Sequence, residues 1–307
     1  MIITEKMLED FFKDCKFRKR LNGNTLRAYE IDIKQFIDFI DMGDINNNDI
    51  TEYIHYLNTK YDKFKTVKRK IASVKVLFFY LEYIEAIDNS PFRKIKTKIK
   101  EPKLLPKIIN SSMIDQIFKF LYDEIRQAKS EYKKKISIRN TAIVELLFST
   151  GIRISELCNI KLDDIDLDNG NLIIYGKGSK ERNLFIGNQE VIDILRKHYD
   201  LNIDLVKEKG YIFLNREGNR LSEQSIRKLL HHIEYKLDLK LHITPHMYRH
   251  TFATMLLDND VDIRYIQKIL GHSSISTTEI YTHVSNAKQK EILTLKNPRN
   301  NYKKYNE

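Results

Sequence analysis

At 307 residues the chain has room for two ordinary hydrophobic cores, and 42% hydrophobic against 31% charged residues reads as a soluble, globular protein. No apolar run approaches the roughly 18 residues of a membrane helix, and the first residues, MIITEKMLEDFFKD, carry acids early without a small-residue cleavage site, so no secretion signal is expected. The net charge of +11 points to a polyanionic partner, nucleic acid before membrane, while two cysteines, Cys15 and Cys158, are too few for a disulfide framework and fit a reducing cytoplasm.

The first predicted elements are helical by period. Leu26, Tyr29, Ile33, Phe36, Ile37 and Ile40 recur at spacings of three and four after a turn at Asn22-Gly23. Ile50, Ile54 and Leu57 support a shorter helix, and Val67, Ile71, Val74, Phe78 and Leu81 a long one. Each gives one stripe to a shared core, so residues 1–94 read as a small helical bundle. From Lys60 to Lys75 seven basic residues face a single acid, Asp62. Lys68, Arg69 and Lys75 fall off the apolar stripe of the long helix; with Lys65 they are candidate DNA contacts, a plain solvated face being the alternative.

Residues 95–107 read as a basic linker. They hold two of the five prolines, Pro102 and Pro106, alternate lysine with apolar residues and show no helical period. Lys96, Lys98 and Lys100 are further candidate DNA contacts.

A second domain, 108–307, begins with a helix that Ser111 or Ser112 caps and whose apolar face is Ile114, Ile117, Phe118, Leu121 and Ile125. Gln127 to Ile136 reads as a long basic loop. Thr141 to Ser149 is a nearly continuous apolar helix, hence buried, and Cys158 reads as a buried structural thiol. Two β segments, Asn171–Tyr175 and Arg182–Ile186, flank a glycine-marked turn, and Tyr211–Leu214 is a candidate third strand. From Ser222 to about Lys296 the pattern is helical. The fold class expected is mainly α with a small antiparallel β-sheet.

Phosphodiester chemistry without a metal needs a nucleophile, cationic donors around the non-bridging oxygens and an acid for the leaving oxygen. Arg153 follows Gly151 in STGIRISEL, an apolar setting in which an arginine needs an anion or solvent; a salt bridge to Glu156 would also satisfy it. Lys177 sits between two glycines at the hairpin tip. His246 and Arg249 lie three apart in TPHMYRHT, near a helix start that Thr244 caps and Pro245 suits, where the dipole favours an anion. His272 follows Gly271, which ends a helix in KILGHSS. Tyr281 lies in STTEIYTHV. Taken singly, each reads as well as a packing, capping or surface residue.

In combination and order, GIRISEL, GKGSKER, TPHMYRHTFAT, ILGHSS and STTEIYTHV resemble the motifs of the tyrosine recombinases, the integrase family, with Xer-type members the nearest in appearance. The resemblance spans the whole second domain. It implies an N-terminal core-binding domain and a catalytic domain, Arg153 and Arg249 as a clamp on the scissile phosphate, Lys177 as the hairpin lysine, His246 and His272 as the two histidines, Tyr281 as nucleophile and Glu156 as support for Arg153. Tyr248 stands where many relatives have leucine. It further implies a 3′-phosphotyrosyl intermediate, no cofactor, duplex DNA with paired sites as substrate, and four protomers on two sites. Relaxation of supercoils by a type IB topoisomerase, or DNA binding with a dead site, are the competing readings. Because relatives dock their C-terminal segment on a neighbour, Val284, Ile292, Leu293 and Leu295 are expected to anchor such a tail in trans.

Overall fold

A computed structural model describes residues 3–40, 45, 47–95, 107–176, 181–271 and 286–302. The chain divides into two units, Met1–Leu104 and Leu105–Glu307, each with its own core.

In the first unit α1 (Glu5–Lys13), which runs into a π-helical turn over Asp14–Arg18, precedes α2 (Gly23–Ile40), α3 (Asn47–Lys60) and α4 (Phe64–Tyr83). The stripes behave as their periods require: Ile33, Phe36, Ile37, Ile50, Leu57, Val67, Ile71, Val74, Phe78 and Leu81 are buried together. The Phe36 ring meets those of Tyr53 and Phe78 edge-on, with centroids 4.9 and 5.8 Å apart. Two details differ from expectation. Asn22 is less a turn than a cap, its Oδ1 accepting from the Thr25 amide at 2.9 Å. The helix α1, unpredicted, adds Phe11 to the core, with the buried Cys15 just beyond its end.

The basic cluster of α4 is partly turned inward. Asp32 of α2 is fully buried and accepts from Lys70 Nζ at 3.0 Å and from Ser73 Oγ at 2.8 Å, and Arg69 completes the ion pairing from the rim. Such a carboxylate is tolerable in a core only with every lone pair engaged.

The second unit starts with α5 (Ser111–Arg126). Its cap is Asn110 rather than Ser111 or Ser112: Asn110 is extended and its Oδ1 takes the Met113 amide at 2.8 Å, whereas the serines are already helical. The helix α6 (Glu131–Thr150) begins well before the apolar run, so most of the expected basic loop 127–136 is helix. Ser130 caps it and Glu131 complements its dipole, while its first lysines stay on the solvent side. From Ile138 on, α6 is the central rod, packed by α5, by α8 (Gln189–Asp200) and by α11 (Pro245–Asp258).

After α7 (Ile154–Cys158) comes a three-stranded antiparallel sheet in chain order: β1 (Ile165–Asp166), β2 (Asn171–Tyr175) and β3 (Glu181–Phe185). In register Leu172 faces Leu184 and Ile174 faces Arg182, and the last rung before the tip is Tyr175 opposite Glu181. The third strand is therefore β1 and not Tyr211–Leu214. Tyr211 and Leu214 make only isolated bridges, to Lys161 and Arg220, because Gly210 in the left-handed region and a turn at Asn215–Gly218 bend the chain away on either side. Helices α9 (Ile203–Lys209), α10 (Glu223–Lys236), α12 (Ile263–Leu270) and α13 (Asn286–Leu295) complete the unit.

The C-terminal segment packs on its own domain. Ile292 and Leu293 are buried in the same core as α6, and only Leu295 of the expected anchors is exposed; Val284 lies outside the described residues. A Cβ at Gly187 would fall on the backbone of Leu293 and Thr294, so α13 abuts the chain leaving β3. Beyond it, Arg299 is buried and donates to both oxygens of Glu145, at 2.7 and 2.9 Å, and to Glu190 at 2.6 Å. Within this chain the segment is seated in cis, with Ile292, Leu293 and Arg299 completing the core and Leu295 left exposed.

Candidate active site

The site grows from the end of α6. Gly151 adopts φ +62° and closes that helix with its amide on Leu147 O. A side chain there would strike Phe252 of α11 at 2.6 Å and Leu270 of α12 at 2.9 Å. Glycine thus lets three helix segments approach, which brings Arg153, two residues on, beside Arg249 of α11.

Arg153 stands at the N-cap position of α7 and donates twice to Glu156, three residues on. Its amide donates to Oε2 at 2.8 Å and its Nη1 to Oε1 at 2.7 Å, while Nη2 reaches Gly271 O at 3.3 Å. The salt bridge to Glu156 therefore exists, and it coexists with a guanidinium that stays about a third exposed, at 35%. Arg249 is buried and donates to Gly151 O at 2.8 Å and to Leu270 O. Burial, reinforced by the Arg153 charge, lowers its pKa to about 10, so it is still cationic at neutral pH and an arriving anion would relieve that cost.

A third arginine joins them. Arg182 of β3 donates to Ile269 O at 3.0 Å and, fork to fork, to both oxygens of Glu156 at 3.0 and 2.8 Å. The carbonyls of Ile269, Leu270 and Gly271 are orphans at the end of α12, where the dipole favours cations. Each takes a different arginine, and the next residue in the chain is His272. Burial alone would push the Glu156 carboxyl up, but the bonds from Arg182 and Arg153 outweigh it and hold it below the usual range.

His246 stands in the first turn of α11, which Thr244 caps with Oγ1 on the Met247 amide at 3.3 Å; it is exposed where Arg249, one turn on, is buried. Burial lowers the neighbouring His250, helped by the His246 and Arg249 charges. The structure thus brings Arg153, Glu156 and Arg249 together around the end of α12. Lys177, His272 and Tyr281 lie outside the described residues, as do Lys96, Lys98 and Lys100. On α4, Lys65, Lys68 and Arg69 are exposed, Arg69 being held by Asp32, and Lys75 is half-buried with Nζ 5.6 Å from the Phe79 ring centre. Both cysteines are free and buried, and burial pushes the Cys158 thiol up to about 11. Among the described residues no helix is long and apolar enough to cross a membrane, and no cluster of His, Cys, Asp and Glu could hold a metal ion.

Residues 116–288 match the model of the phage integrase family, and residues 7–88 that of the phage integrase N-terminal SAM-like domain. A tyrosine recombinase from Agathobacter rectalis is 46% identical over 96% of this chain and 97% of its own length. The chain belongs to the phage integrase family. Like other tyrosine recombinases it is a site-specific DNA recombinase. The tyrosine recombinase XerD from Listeria monocytogenes is 32% identical over 95% of this chain and 99% of its own. In fold the recombinase resembles a lambda integrase dimer bound to a COC′ core site (TM-score 0.69, 17% identity, 91% of this chain and 100% of that one) and XerH bound to its difH substrate (TM-score 0.66, 22% identity, 96% and 89%).

Sequence reasoning passed over Arg182, although it lies inside the GKGSKER motif. The available signal was a cation at the first position of a predicted strand, in the same alternating register as Leu184 and Ile186, which are buried.

Proposed function

We propose that this recombinase cleaves duplex DNA through Tyr281, with Arg153 and Arg249 as the clamp on the scissile phosphate. The observation that supports this reading best is that the two guanidiniums converge on adjacent carbonyls, Gly271 and Leu270, immediately before His272. The Tyr281 oxygen attacks phosphorus as the bond to the 5′ oxygen breaks, leaving a 3′-phosphotyrosyl bond. His246 assists removal of the tyrosine proton, and Lys177 protonates the departing 5′ oxygen. Charge accumulating on the equatorial oxygens is met by the two arginines and by His272. The phosphotyrosyl bond keeps the energy of the broken linkage, so rejoining needs neither ATP nor metal. Lys65, Lys68, Arg69 and Lys75 of α4 and Lys96, Lys98 and Lys100 of the linker contact phosphates and set register. The substrate is duplex DNA with paired sites, held by four protomers, of this chain alone or with a related recombinase, in the cytoplasm. The task is chromosome dimer resolution or mobile-element integration.

The test is covalent trapping. Tyr281→Phe should bind duplex DNA as the parent does yet leave no SDS-resistant adduct; an adduct formed by this variant would remove Tyr281 from the nucleophile's role.

A further inference from the structure

We infer that Arg182 is a positioning residue of the recombination centre, which from β3 neutralises Glu156 and fixes the end of α12, so that the charge of Arg153 stays available to the phosphate. The inference rests on the reading of Arg153 and Arg249 as the clamp.

Four bonds converge on the Glu156 carboxylate. Oε1 accepts from Arg153 Nη1 and Arg182 Nη1, and Oε2 from the Arg153 amide and Arg182 Nη2. One negative charge is thus shared by two guanidiniums, and the cluster of Arg153, Arg182 and Glu156 carries a net positive charge before Arg249 is added. Take Arg182 away and, among the described residues, the buried carboxylate, 4% exposed, keeps Arg153 as its one hydrogen-bonding cation. That pair is neutral, and half the field of the clamp is spent on a protein carboxylate.

The position is built for this side chain. Arg182 faces Ile174 one rung in from the last pair, Tyr175 and Glu181, and its Nε holds Ile269 O. It therefore ties the hairpin to α12 beside the carbonyls that Arg249 and Arg153 hold. A Cβ on Gly271 would lie 3.0–3.2 Å from Nη1, Cδ and Cζ of Arg182, so the absence of a side chain there leaves the arginine its path. At φ +64° Gly271 serves as the helix cap at the same time. A lysine could supply the charge but not three directed bonds in one plane. With all three of its nitrogens engaged by protein, Arg182 acts through Glu156 and α12 rather than on the substrate.

The experiment uses the full chain and a nicked duplex bearing a site recovered by covalent trapping from a random duplex pool. Single-turnover adduct formation and DNA affinity are measured from pH 8 to pH 6 for the parent, Arg182→Met, Arg182→Lys, Glu156→Gln, the double variant R182M/E156Q, and Arg153→Ala. Arg182→Met should slow cleavage about 10- to 100-fold, as loss of an orienting neighbour does elsewhere, with affinity changed less than about threefold. Arg182→Lys should fall between. The groups facing Glu156 are Arg153 before α7, Arg182 from β3 and Arg249 from α11, so in Arg182→Met its carboxyl takes up a proton more readily. The rate relative to the parent should then recover toward pH 6, and Glu156→Gln should rescue Arg182→Met at every pH. A merely structural arginine gives neither effect. Wild-type cleavage by Arg182→Met overturns the inference. If that variant does not fold, the double variant R182M/E156Q is compared with Arg182→Lys, and a folded double variant no faster than Arg182→Lys overturns the inference as well. Wild-type cleavage by Arg153→Ala would instead sink the clamp reading itself, and with it the premise used here.

Discussion

Replacing Arg299 by methionine tests how the C-terminal segment is held. Arg299 is 1% exposed, Glu145 is fully buried, and the two share two bonds, with Glu190 at 2.6 Å on the same guanidinium. Burial works against the Arg299 charge, but the two carboxylates outweigh it. Methionine fills similar volume and, among the described residues, leaves Glu145 with the Tyr122 hydroxyl alone, at 2.9 Å. Breaking one side of a buried ion pair costs about 3–5 kcal/mol. For a domain of this size that corresponds to a Tm lowered by roughly 10 °C. The loss should depend on pH in a definite direction. Burial pushes the Glu145 carboxyl up, and without Arg299 it rises further. A carboxyl raised above its unfolded value, near about pH 4, costs stability when it must ionise and costs less as pH falls and it takes up a proton. The deficit should therefore narrow between pH 7.5 and pH 5.5. Thermal unfolding followed by circular dichroism at both pH values, at two protein concentrations, provides the assay. A shift under about 2 °C, or a wild-type Tm that rises with concentration, would mean that the segment is not seated in cis as described.

Gly187→Ala probes the same packing from the other side: with Cβ driven onto the Leu293–Thr294 backbone it should cost about 1–3 kcal/mol in denaturant unfolding, and a neutral result would refute the contact with α13. Arg249→Ala should slow cleavage roughly 10²–10³-fold with far less effect on duplex binding in gel shifts, and Arg153→Ala should do the same; wild-type rates would leave both as ordinary structural arginines. Covalent adduct formation should continue in excess EDTA, since guanidiniums neutralise the phosphate, and strict dependence on added Mg²⁺ would contradict that mechanism.

Local periodicity carried much of the fold. The stripes of α2, α4 and α5, the β2–β3 hairpin and the glycine end of α12 each follow from neighbours within a few residues, because a helix or hairpin is itself a short-range repeat. Even there, ends were misplaced where the deciding quantity was a backbone angle: Asn110 caps α5 because it is extended and the serines are not. The basic run before the apolar part of α6 read as a loop, since charge says nothing against a helix whose first turns lie in solvent. The residue types of the site and their order along the chain were legible as a family pattern, and Arg153, Glu156 and Arg249 do come together. What joins them was not legible. Arg182 meets Glu156 across 26 positions and Ile269 across 87, and Arg299 meets Glu145 across 154. No periodicity or spacing encodes such pairs. They form because a glycine at 151 lets α6, α11 and α12 close on one another, and because a buried carboxylate in that space has to find cations wherever in the chain they happen to lie.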